Sequence, residues 1–141
     1  MVDSEDDFCF VLNKFVTWLE DRNLVPRNET DDNKKQLNTF TFITCGDWDL
    51  NYMLQNQCAT SKIKVPKYFL QYINVKQSFA MASNGKFPRS LSQMLSELGL
   101  TFEGRQHSGI DDVKNIAKIV KKLAEEKCYI FENTRQVQIK I

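Results

Sequence analysis

The side chains best placed by type and spacing to do chemistry lie between Gly104 and Asn115, a stretch that reads Gly-Arg-Gln-His-Ser-Gly-Ile-Asp-Asp-Val-Lys-Asn. His107 is the single histidine of the chain, and Asp112 follows it by five residues. Val113, Ile116, Ala117, Val120, Leu123 and Ala124 recur at the spacing of one helical face, so a helix is expected to open at Asp112. Asp111 and Asp112 then occupy its first turn, where carboxylates suit the positive end of the helix dipole. Gly109 permits a sharp turn just ahead of it. An imidazole on a loop and a carboxylate on a rigid helix end would be aimed at roughly the same point. Such a pair suits a proton acceptor beside a ligand for a hard cation, because imidazole titrates near neutrality and hard cations prefer carboxylate oxygen. A plainer reading fits the same letters, a loop histidine and two capping aspartates. Spacing alone does not choose between them.

A second acidic group follows a candidate strand. Thr39-Phe40-Thr41-Phe42-Ile43-Thr44-Cys45 is rich in β-branched and aromatic residues and ends at Gly46, which is the composition of a strand. It has no clean polar face, so an interior strand covered on both sides is expected. Gly46-Asp47-Trp48-Asp49-Leu50 comes next. A glycine, two acids and then a short helix with Leu50, Met53 and Leu54 inward would set side chains at the carboxyl edge of a sheet, where open α/β folds bind ligands.

The elements that must carry these residues are legible in outline. Phe8, Leu12, Phe15 and Leu19, flanked by Val11 and Trp18, mark an amphipathic helix ending near Glu20 to Arg22, with Asp6 or Asp7 as its cap. Residues 23–38 hold Pro26, several Asn and Asp and a Lys pair, and are expected to form a solvated, mobile loop. After Val65-Pro66-Lys67, a helical turn, a short strand over Tyr72 to Val75 and a helix over Lys76 to Met81 are expected. Ser90 should cap a helix with Leu91, Met94, Leu95 and Leu98 inward, stopped by Gly99. The long helix should run to about Lys127, with short extended pieces at Tyr129 to Phe131 and Val137 to Ile141.

The bulk composition narrows the class. A length of 141 residues with 42% hydrophobic content and ten Phe fits one globular domain spanning 1–141. Net charge of +1 demands neither nucleic acid nor membrane, so any such site must be local. Cys9, Cys45, Cys58 and Cys128 are far apart and no second His is present, which argues against zinc. No signal peptide and no apolar run of ~18 residues is found, so no membrane is expected. Reduced cysteines suit the cytoplasm or nucleus.

Two of these motifs carry a resemblance. Thr44-Cys45-Gly46-Asp47-Trp48-Asp49 resembles the second motif of the DEDDh 3′–5′ exonucleases, in which an aromatic residue precedes a metal-binding Asp. Arg105 to Asn115 looks like their third motif. Asp7 to Leu19, Gly46 to Cys58 and Tyr72 to Ala80 are similar to the subfamily that trims histone-mRNA 3′ ends and degrades small RNAs, including its prion-interactor relative. The resemblance runs from Phe8 to about Phe131. It implies a ribonuclease H-like α/β domain, a mixed sheet flanked by helices, that removes nucleotides from RNA 3′ ends. It further implies two Mg²⁺ ions held by four carboxylates, which activate a water and stabilise the leaving oxygen, and a histidine that removes the water's proton. Asp49 and Asp112 map onto two of the carboxylates and His107 onto the base. Lys76, Arg89 and Arg105 are candidates for phosphate contacts, and Trp48 or Phe79 for stacking on a terminal base. Solvated charge and core packing are the plainer readings of these five. Lys114, Lys118, Lys121 and Lys122 form a basic stripe that reads as a solvated face or, less simply, as an RNA-facing one. Asp47 and Asp111 read as supports for the metal ligands or as caps.

The chain also departs from the family pattern. The first motif, an Asp-x-Glu on an apolar strand, belongs ahead of the Phe8 helix. Asp3-Ser4-Glu5 fits the letters but sits in a polar, acidic leader, and is rejected as the metal pair. An N-terminally shortened domain is therefore expected, lacking the first strands, so that Thr39 to Cys45 would lose a neighbouring strand and leave backbone groups unpaired. Its Mg²⁺ site would be incomplete and its activity low or absent, unless a protein partner or another chain completes the sheet. The competing class is a non-catalytic RNA- or protein-binding module derived from such an exonuclease.

Overall fold

Side chains leave a strand alternately to its two faces, and here both faces are covered. Phe40 and Phe42 enter one apolar cluster with Leu12, Leu19, Val25, Cys58, Tyr68 and Phe69. Ile43 and Cys45 enter another, built on Val75, Phe79, Met94, Leu95, Ile119 and Leu123. The structure is a computed structural model that describes residues 6–25, 40–83, 85–133 and the backbone of 135–136. Strand β1 (Phe42–Thr44) pairs in parallel with β2 (Gln71–Asn74), Phe42 opposite Tyr72 and Thr44 opposite Asn74. Strand β3 (Arg135–Gln136) pairs antiparallel with β2. The sheet is thus mixed, as expected.

Helix α1 (Phe8–Asp21) is capped by Asp7, whose carboxylate accepts the Phe10 amide at 2.8 Å. Leu12 and Leu19 anchor it to the first cluster, where Phe69 stacks on Phe42 at a centroid distance of 4.9 Å and on Phe15 at 6.1 Å. A π-helical turn (Trp48–Met53) leads into α2 (Leu54–Thr60), which buries Cys58 on the same side. A 3-10 turn (Lys67–Phe69) precedes β2. On the opposite face lie α3 (Val75–Ala82), α4 (Leu91–Glu97), capped by Ser90 through the Gln93 amide, and α5 (Gly109–Glu126).

Several expectations are corrected. Strand β1 is covered on both faces but is not interior in the plane of the sheet. Among the described residues the order is β1-β2-β3, which puts it at an edge, because strand order depends on distant pairing rather than on the strand's own composition. Helix α5 opens at Gly109, ahead of Asp112, since the Ser108 carbonyl already accepts the Asp112 amide at 2.9 Å. Tyr129 and Phe131 form no strand; they meet edge-to-face at 4.9 Å and close the second cluster. Of the expected loop over 23–38, Leu24 and Val25 pack into the first cluster. Residues 26–38 of that loop, Asp3, Glu5 and Val137 to Ile141 lie outside the described residues.

Candidate functional site

Cys45, just past the end of β1, is the point on which the candidate charges converge. Burial raises its thiol most; the Lys76 ammonium pulls it down, and the Asp49 and Asp112 carboxylates push it up. Desolvation disfavours the thiolate and neighbouring anions do the same, while a cation opposes them. Three side chains from the π-helical turn, α3 and α5 therefore share one neighbourhood at the carboxyl edge of β1.

The turn that presents Asp49 is built from its neighbours. Gly46 has φ 118°, a conformation that only glycine adopts freely. The Thr44 hydroxyl donates to the Gly46 carbonyl at 2.6 Å, and the Asp47 carbonyl accepts the Asn51 amide at 3.0 Å. The Asp47 carboxylate faces the sheet, accepting from the Tyr72 hydroxyl at 2.8 Å and the Asn74 amide at 3.1 Å. Asn74, itself buried, uses its other side-chain atom to accept the Lys76 backbone amide at 3.1 Å, capping α3. One buried amide thus ties the acidic turn to the helix that carries Lys76. With Asp47 committed to the sheet, Asp49 and Trp48 are left exposed. Trp48 is 65% exposed and stacks on Tyr52 at 5.5 Å, so the core-packing reading of Trp48 is wrong. Lys76 reaches across to donate to the Arg89 carbonyl at 2.9 Å.

Asp112 stands in the first turn of α5. His107 and Arg105 lie on the loop before it, both exposed, and His107 has the left-handed φ of 66°. That loop is fastened to α5. Asn115, fully buried, donates to the carbonyls of Glu103 and Asp111 at 2.8 Å each and accepts the Glu103 amide at 3.1 Å. The Asp111 carboxylate accepts the Arg105 amide at 3.1 Å. That bond, ahead of the opposing burial, holds its carboxyl below the usual value, with the Ser108 hydroxyl and Lys114 adding to the effect.

Asp49, Asp112 and Lys76 each act electrostatically on Cys45, and Trp48 precedes Asp49 in the same turn. Phe79, only 1% exposed, belongs to the core and is not available for stacking. The basic stripe on α5 is largely neutralised, Lys118 by Glu103, Lys121 by Glu125 and Lys122 by Glu126. The Asp47 carboxylate holds Tyr72 and Asn74, and the Asp111 carboxylate holds the Arg105 amide. Among the described residues no group of three or more His, Cys, Asp or Glu side chains gathers as a metal cage. The roles of Tyr72, Asn74 and Asn115 went unread in the sequence. Asn115 left a signal, since it occupies the buried stripe it shares with Ile119 and Leu123, and a polar residue there needs partners. Tyr72 left none.

Comparison with known proteins agrees with this architecture. Residues 1–120 match the family described as Exonuclease, RNase_T. ERI1 exoribonuclease 3 of Homo sapiens is 41% identical over 135 residues, which cover 95% of this chain and 37% of that protein. The 3′-5′ exoribonuclease 1 of Rattus norvegicus is 33% identical over 137 residues, covering 95% and 36% respectively. The chain thus spans little more than a third of these relatives' length. The nuclease domain of 3′hExo, described as a DEDDh family member bound to rAMP, superposes with a TM-score of 0.78 at 30% identity, over 96% of this chain and 63% of that one. A 3′-exonuclease captured in 3′-end specific recognition of a histone mRNA stem-loop gives 0.74 at 29% identity, over 91% and 53%. The mixed sheet flanked by helices is the ribonuclease H-like fold of these neighbours.

Proposed function

We propose, from the premise that this chain belongs to the exonuclease family and has DEDDh 3′-exonucleases as its structural neighbours, that it serves the 3′–5′ removal of nucleotides from RNA ends. One observation carries the reading. Asp49, in the turn past β1, and Asp112, in the first turn of α5, come from separate elements yet both bear, with Lys76, on the Cys45 thiol. Two carboxylates at one sheet edge are hard oxygen donors that suit Mg²⁺. They are half of the four-carboxylate set that the resemblance implies for two ions, and Asp49 and Asp112 would hold the metal. When bound, it supplies charge stabilisation for in-line displacement at phosphorus.

The remaining work falls to this chain's own side chains. His107, exposed next to the start of α5, takes the proton of the attacking water. Lys76 and Arg105 neutralise phosphate oxygens. The exposed Trp48 face, braced by Tyr52, receives the terminal base by stacking. The neighbours that bind rAMP and a histone mRNA stem-loop support RNA as the polymer. The four free cysteines support a reducing compartment, the cytoplasm or nucleus. A non-catalytic RNA- or protein-binding module is the second reading, favoured by the want of a third acidic ligand among the described residues.

The test is a 5′-labelled single-stranded RNA incubated with the chain and Mg²⁺. Stepwise shortening from the 3′ end is expected, abolished by EDTA and reduced about 10²- to 10⁴-fold in His107→Ala. Asp112→Asn should weaken Mg²⁺ binding measured by calorimetry. RNA that is retained but not shortened would overturn the catalytic reading in favour of the module, and unaltered Mg²⁺ binding in Asp112→Asn would sink the metal assignment.

A further inference from the structure

We infer that the Asn115 amide and the Asp111 carboxylate form a two-point latch that sets the loop bearing His107, which makes Asn115 a positioning residue for that imidazole. The inner point is the Asn115 side chain, fully buried on the stripe of α5 that otherwise holds Ile119 and Leu123. Its oxygen accepts the Glu103 amide at 3.1 Å and its nitrogen donates to the Glu103 carbonyl at 2.8 Å. Reading both backbone groups of one residue fixes that residue's orientation as well as its distance from the helix. The nitrogen's second proton goes to the Asp111 carbonyl at 2.8 Å, so donors and acceptor are all used. An apolar residue would fill this volume without holding the loop, and a buried amide is tolerated because its partners are in place.

The outer point is Asp111. Its carboxylate accepts the Arg105 amide at 3.1 Å and lies where a side chain on Gly104 would have to go, 2.5 Å from an ideal Cβ. Gly104 has φ 92°, so both its conformation and the carboxylate beside it require glycine. The Ser108 amide then donates to the Arg105 carbonyl at 3.2 Å, closing the turn. Between the latch and α5 sits His107 at φ 66°. That conformation is uncommon for a non-glycine residue, although histidine tolerates it better than most, and bonded surroundings help to hold it. Released from Asn115 and Asp111, the loop would relax and the imidazole would lose its fixed station ahead of Asp112.

The inference rests on His107 being the base, but its test does not need turnover. His107 is the only histidine, so its imidazole resonances are unambiguous by NMR, and Trp18 and Trp48 supply the only two indole signals. Asn115→Asp keeps the size and the acceptor but turns a carboxylate oxygen toward two carbonyls. Asp111→Ala removes the outer point from a partly exposed position and opens no core cavity. In both variants the imidazole resonances should move toward their unstructured positions, and the Arg105 and Ser108 amides should exchange about tenfold faster or more. The indole signals should stay put, and on RNA kcat should fall while KM is retained. Wild-type imidazole resonances and wild-type Arg105 and Ser108 exchange in Asp111→Ala would overturn the latch, whether or not Asn115→Asp folds. A displaced loop combined with RNA shortening insensitive to His107→Ala would refute the base assignment instead.

Discussion

Changing Tyr72 to Phe removes one oxygen atom from the middle of the molecule and leaves the ring in place. Tyr72 is fully buried, and its hydroxyl donates to the Asp47 carboxylate at 2.8 Å. No methylene is lost, so the cavity contribution is small and the cost is that of a hydrogen bond to a charged acceptor. Such a bond is worth roughly 1.5–3 kcal/mol. Asp47 keeps the Asn74 amide at 3.1 Å, which places the expected loss at the lower end, about 1.5–2 kcal/mol, or roughly 6–8 °C in Tm for a domain of this size. The assay is urea unfolding of the wild type, Tyr72→Phe, Asp47→Ala and the double variant. Because the pair is in contact, the two losses should fall short of additivity by about 1 kcal/mol. The turn carrying Asp49 should also loosen, seen as faster exchange of the Asn51 amide, which the Asp47 carbonyl accepts. A Tyr72→Phe chain within about 0.5 kcal/mol of wild type, or strictly additive losses, would refute the idea that β2 holds the acidic turn by this bond.

Two further outcomes test the core and its titration. Phe79→Ala, at a site 1% exposed within the second cluster, should cost about 3–5 kcal/mol in urea unfolding, and a loss under about 1 kcal/mol would remove Phe79 from the core. Burial, with a smaller push from Cys9, raises the Cys58 thiol above its ordinary 9.0. A group whose folded value is raised gives stability that is full below the unfolded value and is lost as pH climbs through the folded one. Unfolding measured across alkaline pH should therefore show a decline above 9.0 that Cys58→Val flattens, and an unchanged decline in that variant would count against it.

Much of the chain was readable because local rules act over a few residues. The 3.6-residue spacing of Phe8, Leu12, Phe15 and Leu19 and of Ile116, Leu123 and their neighbours specifies α1 and α5. Asp7 and Ser90 are capping residues whose oxygens reach amides three positions on. The β-branched, aromatic run before Gly46 specifies a strand and then a turn that presents Asp49. The motif letters around Asp49 and Asp112 also led to the family.

Packing between distant segments decided the rest. Composition showed that β1 would be covered on both faces, yet its place at the edge of the described sheet follows from which strands pair, a matter of long-range hydrogen bonds. Trp48 and Phe79 are both large aromatic residues, and only the docking of helices onto the sheet leaves one exposed and the other sealed. The bond from Tyr72 to Asp47 joins strand β2 to the turn past β1, and the latch from Asn115 to Glu103 joins a helix to the loop ahead of it. No spacing rule reaches across such gaps, because partners far apart in sequence become neighbours only once the chain has folded. The convergence of Asp49, Lys76 and Asp112 on Cys45 is of the same kind: each residue type was written in the chain, and their shared location was set by tertiary packing.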